Sequence, residues 1–234
     1  NYMVDGLRER DRIKDTFQRY VTRQVADEIL SGREQVHLSG EKREVTILFS
    51  DIRGFTSMSE TLRPEQVVSL LNEYLSLMID VIFKYEGTLD KFIGDGIMAL
   101  FGAPIVHDND PERAVRTALE MQRKMSELNN RRTSRREQAI YIGIGINTGE
   151  VVAGNIGSSK RMEYTVIGDH VNVAARIESQ TTGGQVLISE NTYHKIRDKF
   201  SIRELPPTRV KGKEIPIKMY EVLGNLGRPQ GPVR

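Results

Sequence analysis

The spacing of apolar and polar positions divides this sequence into alternating helices and strands. Apolar side chains recur every three or four residues in several segments, which predicts amphipathic helices at 7–30, 64–86, 110–128, 171–178 and 190–197. Short β-branched or apolar runs predict strands at 44–51, 88–93, 97–101, 140–146, 164–167 and 185–189. The turn Gly94-Asp95-Gly96 predicts a hairpin, and 210–222 is predicted to form a closing hairpin with Pro216 near its bend.

This order of elements, β-α-β-β-α-β followed by further helices and strands, predicts an α+β fold. We expect a ferredoxin-like βαββαβ core with a C-terminal α/β extension. The folded domain is predicted at 41–223, after a helix and linker at 1–40 and before a disordered tail at 224–234 that is rich in Gly and Pro. The first helix has a narrow apolar stripe, which suits pairing with a second copy of itself as well as packing on its own domain.

The composition of the chain excludes some kinds of site and gives no support for others. The 234 residues carry a formal net charge of +2 with both signs mixed, which gives no reason to expect nucleic-acid binding. The chain has no cysteine, so disulfides and thiolate metal sites are excluded. The basic cluster at 131–136 is predicted to be a solvated loop, with a docking patch for an acidic partner as the alternative. No run of about 18 apolar residues occurs, so we expect no membrane span here and a cytoplasmic location.

Two aspartates occupy positions that suit a metal site. Asp51 ends a predicted buried strand, and Asp95 lies in the turn of the predicted hairpin. In a βαββ arrangement the hairpin pairs with the first strand, so the two carboxylates can face each other. Buried carboxylates repel unless one takes up a proton or a cation lies between them. We therefore expect Mg²⁺ or Mn²⁺ at this position, although each aspartate alone is also consistent with a cap or a turn.

The segment that joins the first strand to the next helix is a candidate phosphate site. It consists of Ile52, Arg53, Gly54, Phe55 and Thr56. A strand–turn–helix entry exposes backbone N–H groups that can bind an anion. The segment is not a Walker A loop, because no Gly-Lys-Ser/Thr follows. Its position directly after Asp51 would bring metal and phosphate together.

Three segments of the sequence form a set of motifs in a fixed order. They are Phe49-Ser50-Asp51-Ile52-Arg53-Gly54-Phe55-Thr56, Lys91-Phe92-Ile93-Gly94-Asp95-Gly96-Ile97-Met98-Ala99 and Val166-Ile167-Gly168-Asp169-His170-Val171-Asn172-Val173-Ala174-Ala175-Arg176. Together they resemble class III adenylate cyclases, and the pair Lys91 and Thr165 is similar to the bacterial subgroup called class IIIb. The resemblance covers about residues 41–223. The resemblance implies the class III cyclase fold, ATP as the substrate, cyclic AMP and pyrophosphate as the products, and two divalent metal ions per site.

The resemblance also implies roles for individual residues. Asp51, Asp95 and the carbonyl of Ile52 match the metal ligands. Lys91 and Thr165 match the pair that reads the base. Lys91 can donate to adenine N1, whereas guanine N1 carries a proton, and guanylate cyclases of the family usually have Glu at this position. Thr165 can accept a hydrogen bond from the adenine amino group, although a hydroxyl can also donate.

Further roles come from the C-terminal half. Asn172 and Arg176 match the pair that stabilises the transition state, and their spacing puts them on one helix face. Lys211 matches a lysine that contacts the terminal phosphates, with Lys213 as a substitute. Glu150 stands where some relatives carry an arginine, so no phosphate role is assigned there. Each of these residues by itself is also consistent with an ordinary surface or strand position.

In this family the metal-binding aspartates come from one subunit and the Asn/Arg pair from the other, so the resemblance implies a homodimer with two equivalent sites. It also implies an upstream sensor or regulatory domain, coupled through 7–30, and indicates bicarbonate as an effector to test. Three alternatives stay open. The first is a guanylate cyclase, against which Lys91 argues. The second is an inactive cyclase-like module, against which the retained aspartates and the Asn/Arg pair argue. The third is a diguanylate cyclase, which would need a Gly-Gly-Asp/Glu-Glu-Phe turn that Ile93-Gly94-Asp95-Gly96 does not match.

Overall fold

The computed structural model describes residues 40–158, 160–209 and 216–226, and within them the chain forms eight strands and five helices. The predicted α+β class is confirmed. In chain order the elements are β1 (Gly40–Ile52), α1 (Phe55–Thr61), α2 (Pro64–Lys84), β2 (Thr88–Ile93), β3 (Gly96–Phe101), α3 (Asp110–Ser134), β4 (Ile142–Ser158), β5 (Arg161–Ile167), α4 (Asp169–Glu178), β6 (Val186–Ser189), α5 (Glu190–Ile196), β7 (Phe200–Glu204) and β8 (Met219–Asn225).

The eight strands form one sheet in the order β2-β3-β1-β4-β6-β8-β7, with β5 paired to β4. The neighbours β2, β3, β1 and β4 are antiparallel and are connected through α2 and α3, which is the predicted ferredoxin-like arrangement. β6 adds parallel to β4, and β8 and β7 complete the extension. The β1–β3 register places Ser50 opposite Ile97, which brings the β2–β3 turn to the C-terminal end of β1.

From Val45 onward, strand β1 is buried on both faces, which explains its continuous apolar run. Leu48 belongs to the larger core cluster together with Tyr74 of α2 and Met121 of α3. Ile47 belongs to a second cluster on the opposite face, together with Val166 of β5. The β4–β5 pair therefore folds over the face of the sheet that α2 and α3 leave open.

Helix α2 begins at a proline, which suits the first turn of a helix. Its buried side chains are Leu70, Tyr74, Met78, Val81 and Ile82. The Tyr74 hydroxyl lies 3.1 Å from Ser50 Oγ, so a buried hydrogen bond ties the helix to β1. Among the described helices, α2 is the one whose length and apolar composition would allow it to cross a membrane. In this fold its apolar face packs on the sheet.

The prediction of a solvated loop at 131–136 is wrong for 131–134, which are helical, whereas Arg135 and Arg136 lie beyond the helix and are exposed. Helix α3 continues to Ser134, and Arg132 is buried. The guanidinium of Arg132 donates from Nε to the carbonyl of Gln138 at 2.8 Å and pairs with Glu137 at 3.0 Å. Because these partners satisfy the charge, the residue can pack its stem along the helix end despite its polarity.

The ends of two strands and one strand pairing also need correction. Strand β4 runs on to Ser158, far beyond the predicted end at 146, because its second half pairs with β5. Strand β8 pairs with β7, which lies at 200–204 and was not part of the predicted closing hairpin. The isolated bridge between Thr208 and Ile217 extends this pairing. Strand β8 includes Gly224 and Asn225, so these residues belong to the sheet rather than to the tail.

Some predictions fall on residues outside the described ranges. They are the helix at 7–30 with the linker up to 39, the part of the predicted closing hairpin at 210–215 with Lys211 and Lys213, and the tail from residue 227 onward.

Candidate active site

The carboxyl groups of Asp51 and Asp95 meet at the C-terminal end of β1. Asp51 lies one residue before the end of this strand, and Asp95 lies in the turn between β2 and β3. The two carboxyl groups lie close enough that a proton on one could be shared with the other. Oδ2 of Asp95 also accepts the backbone N–H of Ile52 at 3.1 Å. The structure therefore brings the two predicted aspartates together and fixes one of them against the backbone.

The glycines of the turn make this meeting possible. Gly94 has a φ of 64°, in the left-handed region that glycine adopts without strain. Gly96 is required for a different reason, namely space. A Cβ atom at Gly96 would lie 3.3 Å from Oδ1 of Asp51 and 3.1 Å from the carbonyl oxygen of Ile93. A larger residue at this position would push the turn away from the carboxylate of Asp51.

The aspartate pair carries an electrostatic conflict. Burial, the hydrogen bond to Asp95 and the charge of Asp95 raise the pKa of Asp51 from 3.8 to about 6, while the guanidinium of Arg53 opposes this rise. A divalent cation would remove the repulsion, and two carboxylates are the oxygen ligands that Mg²⁺ or Mn²⁺ takes. Within the described residues no three His, Cys, Asp or Glu side chains form a metal-binding group. The remaining ligands would therefore be backbone carbonyls, water or a bound phosphate.

The raised pKa of Asp51 predicts how the stability of the metal-free domain depends on pH. Because this pKa is higher in the folded state, the folded domain binds more protons than the unfolded chain between pH 3.8 and about 6. The contribution of Asp51 to the free energy of unfolding therefore falls as the pH rises through that interval and stays low above it. We expect thermal unfolding in a chelator to show this loss relative to Asp51→Asn.

Metal should reverse that loss in the wild type. Added Mg²⁺ or Mn²⁺ at pH 7 is expected to raise the Tm of the wild-type domain and to have a much smaller effect on Asp51→Asn. If the Tm of wild type and of Asp51→Asn depended on pH in the same way, both in chelator and in metal, the proposed repulsion between the two carboxylates would be contradicted.

In the candidate phosphate segment, only two residues lie between the strand and the helix, fewer than the sequence predicts. Ile52 ends β1, Arg53 and Gly54 form the turn, and Phe55 already begins the separate helix α1. Gly54 and Thr56 are exposed, whereas Phe55 packs against the larger core. The pattern missed this seven-residue helix because its hydroxyl side chains favour turns as well. Next to Asp51, the turn offers the exposed backbone of Gly54.

Arg53 ties this turn to the rest of the fold. Its guanidinium forms an ion pair with Glu178, the last residue of α4, and Nη1 donates to the carbonyl of Thr181 at 3.4 Å. Its backbone N–H donates to the carbonyl of Tyr141 at 2.8 Å. The end of β1 is thus held against α4.

A second group of side chains lies where β2 approaches β5. Nζ of Lys91 is 3.6 Å from Oδ2 of Asp90 and 3.5 Å from Oε2 of Glu163. Thr165 is buried, and its hydroxyl donates to Oδ2 of Asp90 at 3.1 Å. The structure therefore brings Lys91 and Thr165 together through Asp90. Strand alternation alone would point Asp90 away from Lys91, so the sequence pattern does not identify it.

Helix α4 carries the third group of predicted site residues. Asn172 and Arg176 lie one turn apart, with Asn172 exposed and Arg176 half-buried. Nη1 of Arg176 is buried and has no hydrogen-bond partner in the described part of the chain. A buried donor without an acceptor is costly, so this nitrogen is suited to an anion that binds from outside.

Comparisons with known proteins point to one family for this chain. The profile of the family described as adenylate and guanylate cyclase catalytic domain matches residues 38–224. The chain is 39% identical over 219 residues to an adenylate cyclase of Anabaena cylindrica, with 89% of this chain and 43% of that protein covered. The chain thus spans less than half the length of this relative.

Two solved structures are similar to the whole domain. The adenylyl cyclase CyaB from P. aeruginosa is 39% identical, with a TM-score of 0.78, and the match covers 83% of this chain and 100% of that one. The guanylyl cyclase Cya2 is 48% identical, with a TM-score of 0.74, and the match covers 80% of this chain and 95% of that one.

Proposed function

The chain belongs to the family of adenylate and guanylate cyclase catalytic domains, and we propose that it acts as an adenylate cyclase that converts ATP to 3′,5′-cyclic AMP and pyrophosphate. The observation that carries the proposal is the meeting of the Asp51 and Asp95 carboxyl groups beside the turn at Gly54. This arrangement suits a triphosphate with its counter-ions. In the reaction, the ribose 3′-hydroxyl attacks the α-phosphate, which closes the ring and releases pyrophosphate.

Asp51, Asp95 and the carbonyl of Ile52 would hold two Mg²⁺ or Mn²⁺ ions. When bound, the ions lower the pKa of the 3′-hydroxyl and neutralise charge on the phosphates. The contribution of the chain is to hold the carboxylates in place. The N–H of Ile52 positions Asp95, and the guanidinium of Arg53, with Nη2 3.7 Å from Oδ2, faces Asp51.

The polyphosphate would lie along the start of α1. Gly54, Phe55 and Thr56 would supply backbone N–H groups to it. Arg53 is a poor candidate for a phosphate ligand, because its guanidinium already pairs with Glu178. Contact of Lys211 with the terminal phosphates stays a prediction from the resemblance.

Lys91 and Thr165 would read the adenine. Lys91 is a donor and suits the unprotonated N1 of adenine, and the hydroxyl of Thr165 can accept from the amino group. The ion pairs of Lys91 with Asp90 and Glu163 keep its ammonium beside Thr165. Leaving a polar group unpaired against the wrong base costs roughly 1–3 kcal/mol.

Arg176 and Asn172 would stabilise the transition state. The planar fork of an arginine can bind two oxygens of the pentacoordinate phosphate, and the unpaired Nη1 of Arg176 supports this role. Asn172 would orient the ribose. Neither side chain accepts a proton at neutral pH, so we assign no general base to the chain. The proton of the 3′-hydroxyl leaves to water or to a substrate phosphate.

We propose that the active unit is a homodimer with two equivalent sites, each combining the aspartates of one subunit with α4 of the other. Support comes from apolar side chains on the strands next to the base-reading residues. Phe92 and Ile93 on β2, Val152 on β4 and Ile167 on β5 are each between 38% and 55% exposed. Val152 and Ile167 are cross-strand partners and form a continuous patch. Exposed apolar patches of this kind are typical of interfaces.

A guanylate cyclase is the second candidate, because the chain is 48% identical to the guanylyl cyclase Cya2. Lys91 favours the adenylate cyclase, since guanine N1 carries a proton and cannot accept a hydrogen bond from the ammonium. The two candidates share the metal and phosphate chemistry. They differ only in the nucleotide base that fits beside β2 and β5.

The decisive experiment supplies the purified chain with ATP or GTP, each with Mg²⁺ or Mn²⁺, over a range of protein concentrations. We expect cyclic AMP to form with a kcat/KM at least about tenfold above that for cyclic GMP. Specific activity should rise with protein concentration, because the site needs two subunits. Cyclic GMP as the main product would favour the second candidate, and the lack of either product would refute cyclase activity.

A further inference from the structure

Asp90 lies between the two residues that we assign to base recognition. Its side chain is fully enclosed, with no exposed surface. One carboxylate oxygen, Oδ2, accepts the hydroxyl of Thr165 at 3.1 Å and lies 3.6 Å from Nζ of Lys91. The other oxygen, Oδ1, is buried without a hydrogen-bond partner in the described part of the chain. An enclosed carboxylate with an unsatisfied oxygen is costly, which calls for a functional explanation.

A β-bulge puts Asp90 in this position. Leu89 pairs with Ala99 and Lys91 pairs with Met98, so Asp90 is the extra residue of β2. In a regular strand, neighbouring side chains point to opposite faces, whereas a bulge re-aims the inserted residue. The β4–β5 pair folds over the sheet and carries Thr165 to the same place, although the two residues are 75 positions apart.

The contact decides what Thr165 can offer to a ligand. A hydroxyl has one proton and two lone pairs, and an ionised carboxylate can only accept. When Thr165 gives its proton to Asp90, its free lone pairs can only accept. Burial raises the pKa of Asp90 above its usual value, and the hydroxyl of Thr165 and the ammonium of Lys91 oppose this rise by stabilising the ionised form.

We propose that Asp90 is a positioning residue that fixes the hydroxyl of Thr165 as an acceptor and so sets the preference of the site for adenine over guanine. This inference rests on the proposed cyclase function. Adenine presents an acceptor at N1 and a donor at the 6-amino group, which match Lys91 and the oriented Thr165. Guanine presents the opposite pair, a donor at N1 and an acceptor at O6. A free hydroxyl could rotate and donate to O6. Without Asp90, Thr165 would therefore no longer discriminate against guanine, and only Lys91 would.

The test compares the ratio of kcat/KM for ATP to that for GTP in wild type, Asp90→Leu, Thr165→Val and the double variant. Asp90→Leu is expected to lower the ratio roughly tenfold to a hundredfold. In the Thr165→Val background, the same change at Asp90 should alter the ratio less than about twofold, because no hydroxyl remains to orient. Should Asp90→Leu fail to fold, Asp90→Asn replaces it. Its amide can donate or accept, so it lowers the ratio in the same direction but less.

Glu163→Gln is the matched control. Glu163 also pairs with Lys91, but Asp90 is the carboxylate that receives the hydroxyl of Thr165. Equal losses of activity with ATP and GTP in Asp90→Leu, with the ratio unchanged, would overturn the inference. So would a change of the ratio in Glu163→Gln as large as in Asp90→Leu. Failure of the proposed function is separate, because the wild type itself would then cyclise neither nucleotide or would prefer GTP.

Discussion

Replacing Asp51 by asparagine is expected to lower the rate of cyclic AMP formation by roughly a thousandfold while leaving the domain folded. The substitution keeps the size of the side chain but removes one of the two charges that would hold the metal ions. Stabilisation of the transition state by such ions is worth several kcal/mol, which corresponds to a loss of this order. The measurement is kcat with ATP at saturating Mg²⁺ and Mn²⁺, alongside thermal unfolding.

The same variant should gain stability when metal is absent. Burial, and after it the proximity and charge of Asp95, raise the pKa of Asp51, so at pH 7 the two wild-type carboxylates repel each other. Without one charge we expect a rise in Tm of a few degrees, equivalent to about 1 kcal/mol after allowance for the exposure of the side chain. Loss of activity with gain of stability identifies a functional charge rather than a structural one.

A control carboxylate on the same sheet separates the two effects. Glu150 on β4 is exposed and pairs with Lys42 at 3.2 Å, away from the aspartate pair. Glu150→Gln should leave both kcat and the Tm in chelator close to wild type, since exposed ion pairs contribute little. Wild-type turnover by Asp51→Asn would rule out the two-carboxylate site.

The core of the fold could be predicted where burial leaves a simple pattern. β1 is buried on both faces, and the hairpin has a glycine-bracketed turn, so both follow from local sequence. The length of β4 could not be predicted, because glycines and polar residues interrupt its pattern. The structure supplies a reason at Gly149, in the part that the prediction missed, where a Cβ atom would lie 2.3 Å from the ring of His170. The strand has no side chain there, so the start of α4 can pack closely against it.

The errors at α3 and at the C-terminal strands have a different cause. The end of α3 is polar enough to be interpreted as a loop, and only its tertiary partners show why Arg132 is buried. The pairing of β8 with β7 depends on residues that are far apart in the chain. Local periodicity cannot choose between one partner strand and another.

In the candidate site, too, contacts that are local in the sequence could be predicted, and contacts between distant segments could not. Asp51 with Asp95, and Asn172 with Arg176, follow from short motifs whose local spacing already places the side chains. The bond from Thr165 to Asp90 joins two strands across the fold and depends on a bulge, which the pattern does not reveal. Asp90 is therefore identified only in the structure, whereas Lys91 and Thr165 could be identified from the sequence.

Mixing two inactive variants should restore activity if each site is shared between subunits. Asp51→Asn damages the metal half of a site, and Arg176→Ala damages the half that stabilises the transition state, with an expected loss of roughly a hundredfold to a thousandfold. In an equal mixture about half of the dimers are heterodimers, and each heterodimer has one site with both halves intact. Specific activity should therefore recover to about a quarter of the wild-type value.

A second mixture makes the test specific. Asp51→Asn mixed with Asp95→Asn should stay inactive, because both substitutions damage the same half and no dimer then contains an intact pair of aspartates. Recovery in the first mixture alone requires that Asp51 and Arg176 act across the interface. No recovery in the first mixture despite demonstrated subunit exchange would show that the site lies within one chain. Equal recovery in both mixtures would contradict the assignment of the two aspartates to the same half of a site. The exposed apolar patch on β2, β4 and β5 would then need another partner.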